Sequence, residues 1–189
     1  MSRLESHIRR LQAQCELLNW ATSIQESRNS VALDLGLGNG RTYNHLCERL
    51  PGWRVVAFDR QNAADPKSLG PKSEVVLGEF QVTLPEFAAR YPRSARIIHS
   101  DAGLSDPSAN ARQMQMLGAV MPELAADGAI ILSDQELAHP LLQRIHPPVA
   151  VPVGRYFAYE RITASLGLRR ARRSALVTAH GGGYAPEFA

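Results

Sequence analysis

The sequence predicts an α/β fold built on a doubly wound, mostly parallel sheet, with an N-terminal helical cap and a late antiparallel edge. Three observations predict it. Short apolar runs of strand length alternate with helical patterns from residue 31 to residue 135, and parallel strands need such helical crossovers. The first run, Val31 to Leu35, passes into a glycine turn, DLGLGNG, that opens a helix. The second, VVAFD, ends in another acid, Asp59, nineteen residues beyond that turn. Strand, glycine turn, helix N-terminus and second strand with a terminal carboxylate are the parts from which open α/β sheets build nucleoside pockets.

The elements follow in order. Residues 3–28 read as one long amphipathic helix or two short ones, with Leu4, Ile8, Leu11, Cys15 and Leu18 forming one apolar stripe. Asn29-Ser30 breaks the pattern before the first strand, 31–35. Residues 42–50 form a helix with Tyr43, Leu46, Cys47 and Leu50 on one face, stopped by Pro51-Gly52. Strands follow at 54–58 and 74–77, separated by a loop containing Pro and Lys. A short helix covers 84–91, a strand 96–99, and a helix 110–126 that turns Met114, Leu117, Met121 and Leu124 inward. Pro122 kinks its last turn, Asp127-Gly128 ends it, and 129–133 is the fifth strand. Beyond Pro140 the prolines at 140, 147, 148 and 152 disfavour a long helix. Tyr156 to Ile162 then alternates like a half-exposed strand, with 175–178 as a candidate neighbour.

Composition sets the limits. The chain has 189 residues, enough for one domain with a real core. We read residues 1–189 as that domain: a helical lid over 1–30, a binding core over 31–135, and C-terminal strands and tail over 136–189. Hydrophobic residues at 44% and charged residues at 21% are ordinary for a globular protein. No apolar run reaches membrane-spanning length, and the charged N-terminus does not read as a secretory signal. Cys15 and Cys47, with no CxxC pairing, read as reduced core residues of a cytoplasmic protein. A net charge of +3 is too small to imply nucleic acid by itself.

The glycine spacing narrows the choice of cofactor. A dinucleotide fingerprint needs a small third residue to pack helix against strand, and Arg41 stands there. No Lys-Ser or Lys-Thr follows the glycines, so a phosphate-binding P-loop is excluded. What stands instead is Asp34-x-Gly36-x-Gly38-x-Gly40. With VVAFDR and LGEFQVTLPEF at 77–87, this resembles the class I S-adenosylmethionine-dependent methyltransferases over residues 31–135. The N-terminal helix and the LNW ahead of the motif are similar to a small stand-alone bacterial family of that class. The resemblance implies S-adenosyl-L-methionine as cofactor and a set of cofactor-binding residues: Asp34, Gly36, Gly38, Asn39, Gly40, Asp59, Glu79 and Phe80. In it Asp59 takes the ribose hydroxyls, Glu79 or the Phe80 backbone reads the adenine, and Asp34 orients the loop and the cofactor's ammonium.

Ligands in open α/β sheets sit at the carboxyl ends of the strands. His99, Ser100 and Asp101 follow the fourth strand and Asp134, Gln135 and Glu136 the fifth, so Asp101 and Asp134 are the candidate catalytic residues. The same two acids, with Gln135, resemble the divalent-metal positions of catechol-type O-methyltransferases. Gln135 in place of Asn, and Leu104-Ser105-Asp106 where a lysine is usual, weigh against a metal. The expected reaction is methyl transfer to a small-molecule acceptor, with no membrane or nucleic-acid partner. Rival readings are a nicotinamide-dependent oxidoreductase and a catalytically silent S-adenosylmethionine-binding protein. His99 reads as a satisfied core histidine. The two faces of 156–162 read as sheet packing, with a pocket wall or homodimer contact as alternatives. The arginine run 169–173 reads as a solvated face. The tail His180-Gly181-Gly182-Gly183 is no esterase loop, since the chain holds no GxSxG.

Overall fold

Seven strands lie in the order β3-β2-β1-β4-β5-β7-β6 in the computed structural model, which describes residues 2–25, 29–151 and 155–163. The elements are α1 (Arg3–Ser23), β1 (Val31–Leu35), α2 (Arg41–Arg49), β2 (Arg54–Asp59), a 3₁₀ turn (Pro66–Ser68), β3 (Glu74–Leu77), α3 (Phe80–Arg90), β4 (Ala95–Ser100), α4 (Pro107–Leu124), β5 (Ala125–Ser133), β6 (Leu142–Ile145) and β7 (Phe157–Arg161). β1 to β5 pair in parallel, while β7 runs antiparallel to both β5 and β6. The antiparallel edge is thus present, and β6 is its outer strand. The sequence reading missed β6, which sits in a short window between prolines. The stretches 169–173, 175–178 and 180–183 lie outside the described residues.

Both faces of the sheet are covered, because consecutive strand residues point to opposite sides. Leu33, Leu35, Phe58 and Ile98 face α3 and α4, where Leu84, Phe87, Leu117 and Met121 are buried. Ala32, Ala57, Ile97 and Leu132 face α1 and α2, meeting Leu17, Leu18, Tyr43 and Leu46. Trp20 is half-buried against this second cluster. Phe157 and Tyr159 join the first cluster, Tyr156 and Ala158 the second. Side chains from both faces of β7 therefore enter the two clusters, so the strand is not the half-exposed one expected.

Four expectations need correction. The inward face of α1 is Ala13, Gln14, Leu17, Leu18 and Ala21, while Leu4 and Ile8 are 67% and 45% exposed. The reason is position: Arg10 reaches Asp101, beyond the end of β4, so the turns before it have no sheet beneath them. Cys15 and Cys47 are free but exposed, since Gln14, Leu18, Tyr43 and Leu46 occupy the inward positions. α3 begins at Phe80, four residues early, because Pro85 in its second turn forfeits only the bond to the Gln81 carbonyl. Asp127-Gly128 interrupts a strand rather than ending a helix. Ala125 already pairs with Ala95, and the register resumes at Ile97 with Ile130 after Gly128 turns through φ +74°.

Candidate functional site

The strand order reverses between β1 and β4, and the two loops that leave those strands meet there. Gly36 has φ +92°, and a Cβ on it would lie 2.5 Å from the Asp101 carbonyl oxygen. Its glycine is therefore required by the fold itself. Gly38, at φ +49°, is different: a Cβ there would have nothing within 4 Å. Its amide donates to Asp59 Oδ2 at 3.0 Å, and the Gln61 amide donates to Asp59 Oδ1 at 3.3 Å. Gly40 caps α2 at φ +83°, packed so closely that a Cβ would reach 2.8 Å from Ser68 Cβ. Asn39 is exposed beside it and accepts the Asp65 amide on its backbone carbonyl.

One cleft of about 180 Å³ gathers the ends of four consecutive parallel strands. Gly36, Asp59, Glu79, Phe80 and Asp101 all line it, with Arg60, Leu104 and Gln113. Glu79 is the exposed N-cap of α3 and makes no side-chain cap bond. The side chain beneath it, Phe80, is buried in the core. Of the expected binding residues, Asp34, Gly38, Asn39 and Gly40 do not line the cleft: Gly38 is joined to it by its bond to Asp59, and Asp34 lies beneath the loop.

The two candidate catalytic acids differ in their surroundings. Asp101 lines the cleft, and its oxygens accept from Arg10 Nη1 at 2.8 Å and Gln14 Nε2 at 3.0 Å. Asp134 is turned toward the loop after β4, accepting from the Ala102 and Gly103 amides at 3.2 and 3.1 Å. Burial pushes the Asp134 carboxyl above the usual carboxylate range, and the Asp101 charge adds to the rise. Its two amide bonds hold the loop that shapes the cleft wall.

Asp34 and His99 belong to a buried polar chain that the sequence reading did not assemble. β1 and β4 pair Asp34 directly with His99, on the face toward α1. His99 Nδ1 is 2.6 Å from Asp34 Oδ1, and its Nε2 is 2.9 Å from the Tyr156 hydroxyl. Thr42 Oγ1 donates to Asp34 Oδ2 at 3.0 Å, and Gln14 Nε2 donates to the Tyr156 oxygen at 2.8 Å. Every proton finds an acceptor if His99 carries its hydrogen on Nδ1. The Tyr156 hydroxyl then donates to Nε2 while accepting from Gln14. Burial raises the tyrosine far above its ordinary value, and the Asp101 charge raises it further, so it stays a hydroxyl. Gln14 was legible as a polar residue three positions after Leu11 and four before Leu18, on the inward side of a helix. Tyr156 carried no such signal.

The comparisons with known proteins bear on this cleft. A family model described as S-adenosyl-L-methionine methyltransferase matches residues 1–161. The chain belongs to that family. It is 30% identical to an S-adenosyl-L-methionine methyl transferase from Silicibacter pomeroyi DSS-3, with a TM-score of 0.78 over 85% of this chain and 99% of that one. Two more distant structures share the fold. The antibiotic-resistance methyltransferase Kmr is 16% identical, with a TM-score of 0.52 over 80% of this chain and 93% of its own. Human methyltransferase-like protein 13, in complex with SAH, is 13% identical, with a TM-score of 0.50 over 97% and 95%. No curated protein sequence matches the chain.

This S-adenosyl-L-methionine methyltransferase is therefore an enzyme that uses S-adenosyl-L-methionine, and the nicotinamide reading is set aside. The residues present fit that cofactor: open space stands before Gly38, and the Asp59 and Glu79 carboxylates flank the cleft. Among the described residues, no group of three or more His, Cys, Asp or Glu side chains is placed to hold a metal ion. No described helix is long and apolar enough to cross a membrane.

Proposed function

We propose that this methyltransferase modifies a small-molecule acceptor, presented at the Asp101 end of the cleft. The observation that carries the reading is the convergence of Gly36, Asp59, Glu79, Phe80 and Asp101 from four successive strand ends on one cleft. When bound, S-adenosyl-L-methionine supplies an electrophilic methyl group on a sulfonium. The chain's own residues then orient and exclude water, which is most of what an in-line displacement needs. Asp59, already turned to the Gly38 amide, takes the ribose hydroxyls. Glu79, with no cap bond of its own, and the Phe80 backbone read the adenine. Gly36, Gly38, Asn39 and Gly40 shape the loop for the methionyl part, and the amides opening α2 suit its carboxylate.

Asp34 sits too deep to touch the cofactor in this reading. It positions the loop through Thr42 and the β1–β4 junction through His99. Asp101 is the group that faces the acceptor, orienting it and receiving its proton where one is lost. Asp134 acts through the Ala102-Gly103 amides and is a positioning residue. No metal is assigned: among the described residues no group of three or more His, Cys, Asp or Glu side chains is placed to hold one. α1 serves as the lid: Arg10 and Gln14 close over Asp101 and narrow the approach, which suits a compact acceptor. The test is transfer of labelled methyl groups from S-adenosyl-L-methionine into a fractionated extract. Label among small molecules supports the reading, and label retained on protein or RNA overturns it.

A further inference from the structure

We propose that the acceptor carries a phosphoryl group, bound by a cationic cleft at the N-terminal end of α1. This rests on the small-acceptor reading above and names its chemical class. A cleft of about 410 Å³ is lined by Ser2, Arg3, Ser6, His7, Arg10 and Arg155. Arg3, His7 and Arg10 follow one another at steps of four and three, so they share one stripe of the helix. Arg155 comes from the segment entering β7, so two separate parts of the chain bring cations to one place.

The charges in this cleft are not balanced. Of the cations lining it, only Arg10 has an acidic partner among the described residues, Asp101, and Arg3, His7 and Arg155 form no ion pair or hydrogen bond through their side chains. Glu5, the acid nearest in sequence, is turned back to cap the helix by accepting the Ser2 amide at 2.7 Å. Two unpaired guanidinium groups gathered at one cleft repel each other, and a dianion relieves that repulsion. Planar guanidinium forks match the tetrahedral oxygens of a phosphoryl group, and the Ser2 and Ser6 hydroxyls add donors at the same wall.

Location ties the cleft to the reaction. Arg10 lines it, and the residue Arg10 holds, Asp101, lines the cleft at the strand ends. The two cavities therefore meet at a single ion pair 2.8 Å long. A phosphoryl group held by Arg3 and Arg155 leaves the rest of a small molecule to pass Arg10 toward Asp101, where the methyl group is delivered.

Calorimetric titration with inorganic pyrophosphate tests this on the free protein and on the protein saturated with S-adenosylhomocysteine. Malonate and a short RNA oligonucleotide serve as comparison ligands. Pyrophosphate should bind more tightly than malonate, and Arg3→Ser and Arg155→Ser should each weaken it about tenfold. Both variants should keep wild-type affinity for S-adenosylhomocysteine. Equal binding of malonate, pyrophosphate affinity unchanged in both variants, or tight binding of RNA alone would each overturn the proposal. Failure of S-adenosylhomocysteine to bind the wild-type protein would instead count against the cofactor cleft, and the pyrophosphate titration of the free protein would still decide this one.

Discussion

His99 Nδ1 and Asp34 Oδ1 lie 2.6 Å apart, both side chains fully buried, at paired positions of two adjacent parallel strands. This contact joins the glycine loop, through Thr42 and Asp34, to α1, through Tyr156 and Gln14. The loop and α1 therefore share one polar chain beneath the cleft.

Breaking that chain at its middle should cost more than one hydrogen bond. Tyr156→Phe leaves His99 Nε2 without a partner and removes one acceptor from Gln14. The expected loss is about 1–3 kcal/mol of stability, read from denaturant midpoints. A midpoint unchanged from wild type would mean that water takes the hydroxyl's place at no cost.

Asp59→Ala tests the ribose assignment. Affinity for S-adenosylhomocysteine should fall about 10- to 100-fold, the equivalent of losing hydrogen bonds to a charged group. Stability should change by less than about 1 kcal/mol, because Asp59 bonds only loop amides at the surface. Unchanged affinity by calorimetry removes Asp59 from the ribose role.

Two glycines of one motif should fail in different ways. Gly36→Ala drives a methyl group into the Asp101 carbonyl at an unfavourable φ, and stability should fall by about 2–4 kcal/mol. Gly38→Val sets its Cβ where no protein atom lies within 4 Å, so the fold should survive with about 1–2 kcal/mol of backbone strain. Its affinity for S-adenosylhomocysteine should drop at least about tenfold, because the side chain fills space before the loop. Thermal melts and titrations of the pair separate the two causes.

A pH dependence follows from Glu74, which Arg54 grips through two bonds of 2.9 and 2.5 Å while its guanidinium lies 4.3 Å over the Tyr91 ring. Arg54 holds the Glu74 carboxyl below its ordinary 4.5. A depressed folded-state value means the pair stabilises above that ordinary value and is lost as pH falls through the depressed one. Glu74→Gln should cost at most about 1 kcal/mol at neutral pH, given the partial exposure of both side chains. The deficit should shrink toward zero as the solution is acidified below 4.5. A deficit constant across that range would place its origin in packing rather than charge.

The corrected face of α1 can be checked directly. Leu17→Ala should cost about 2–5 kcal/mol, since Leu17 is buried against the sheet. Leu4→Ala, at 67% exposure, should stay within about 0.5 kcal/mol of wild type. Equal losses at both positions would restore the original stripe.

Periodicity and turn chemistry are local, and what depended on them was legible in the chain alone. The alternation of strands and helices, the glycine loop with Asp34 and the terminal acid Asp59 could all be read before any fold was known. So could the carboxyl-end positions of Glu79 and Asp101. Register and long-range packing are not local. Nothing within a few residues of Tyr156 says that it meets His99, or that Gln14 bridges Tyr156 to Asp101. The exposure of Leu4 and Ile8 depends on where the sheet beneath α1 ends, and β6 exists because β7 offers it a partner. Sequence patterning picked out the carboxyl ends of the strands, where the cleft lies. Only tertiary packing decided which side chains stand around it, because those contacts join residues up to 142 positions apart whose free-energy gain appears only once the sheet is assembled.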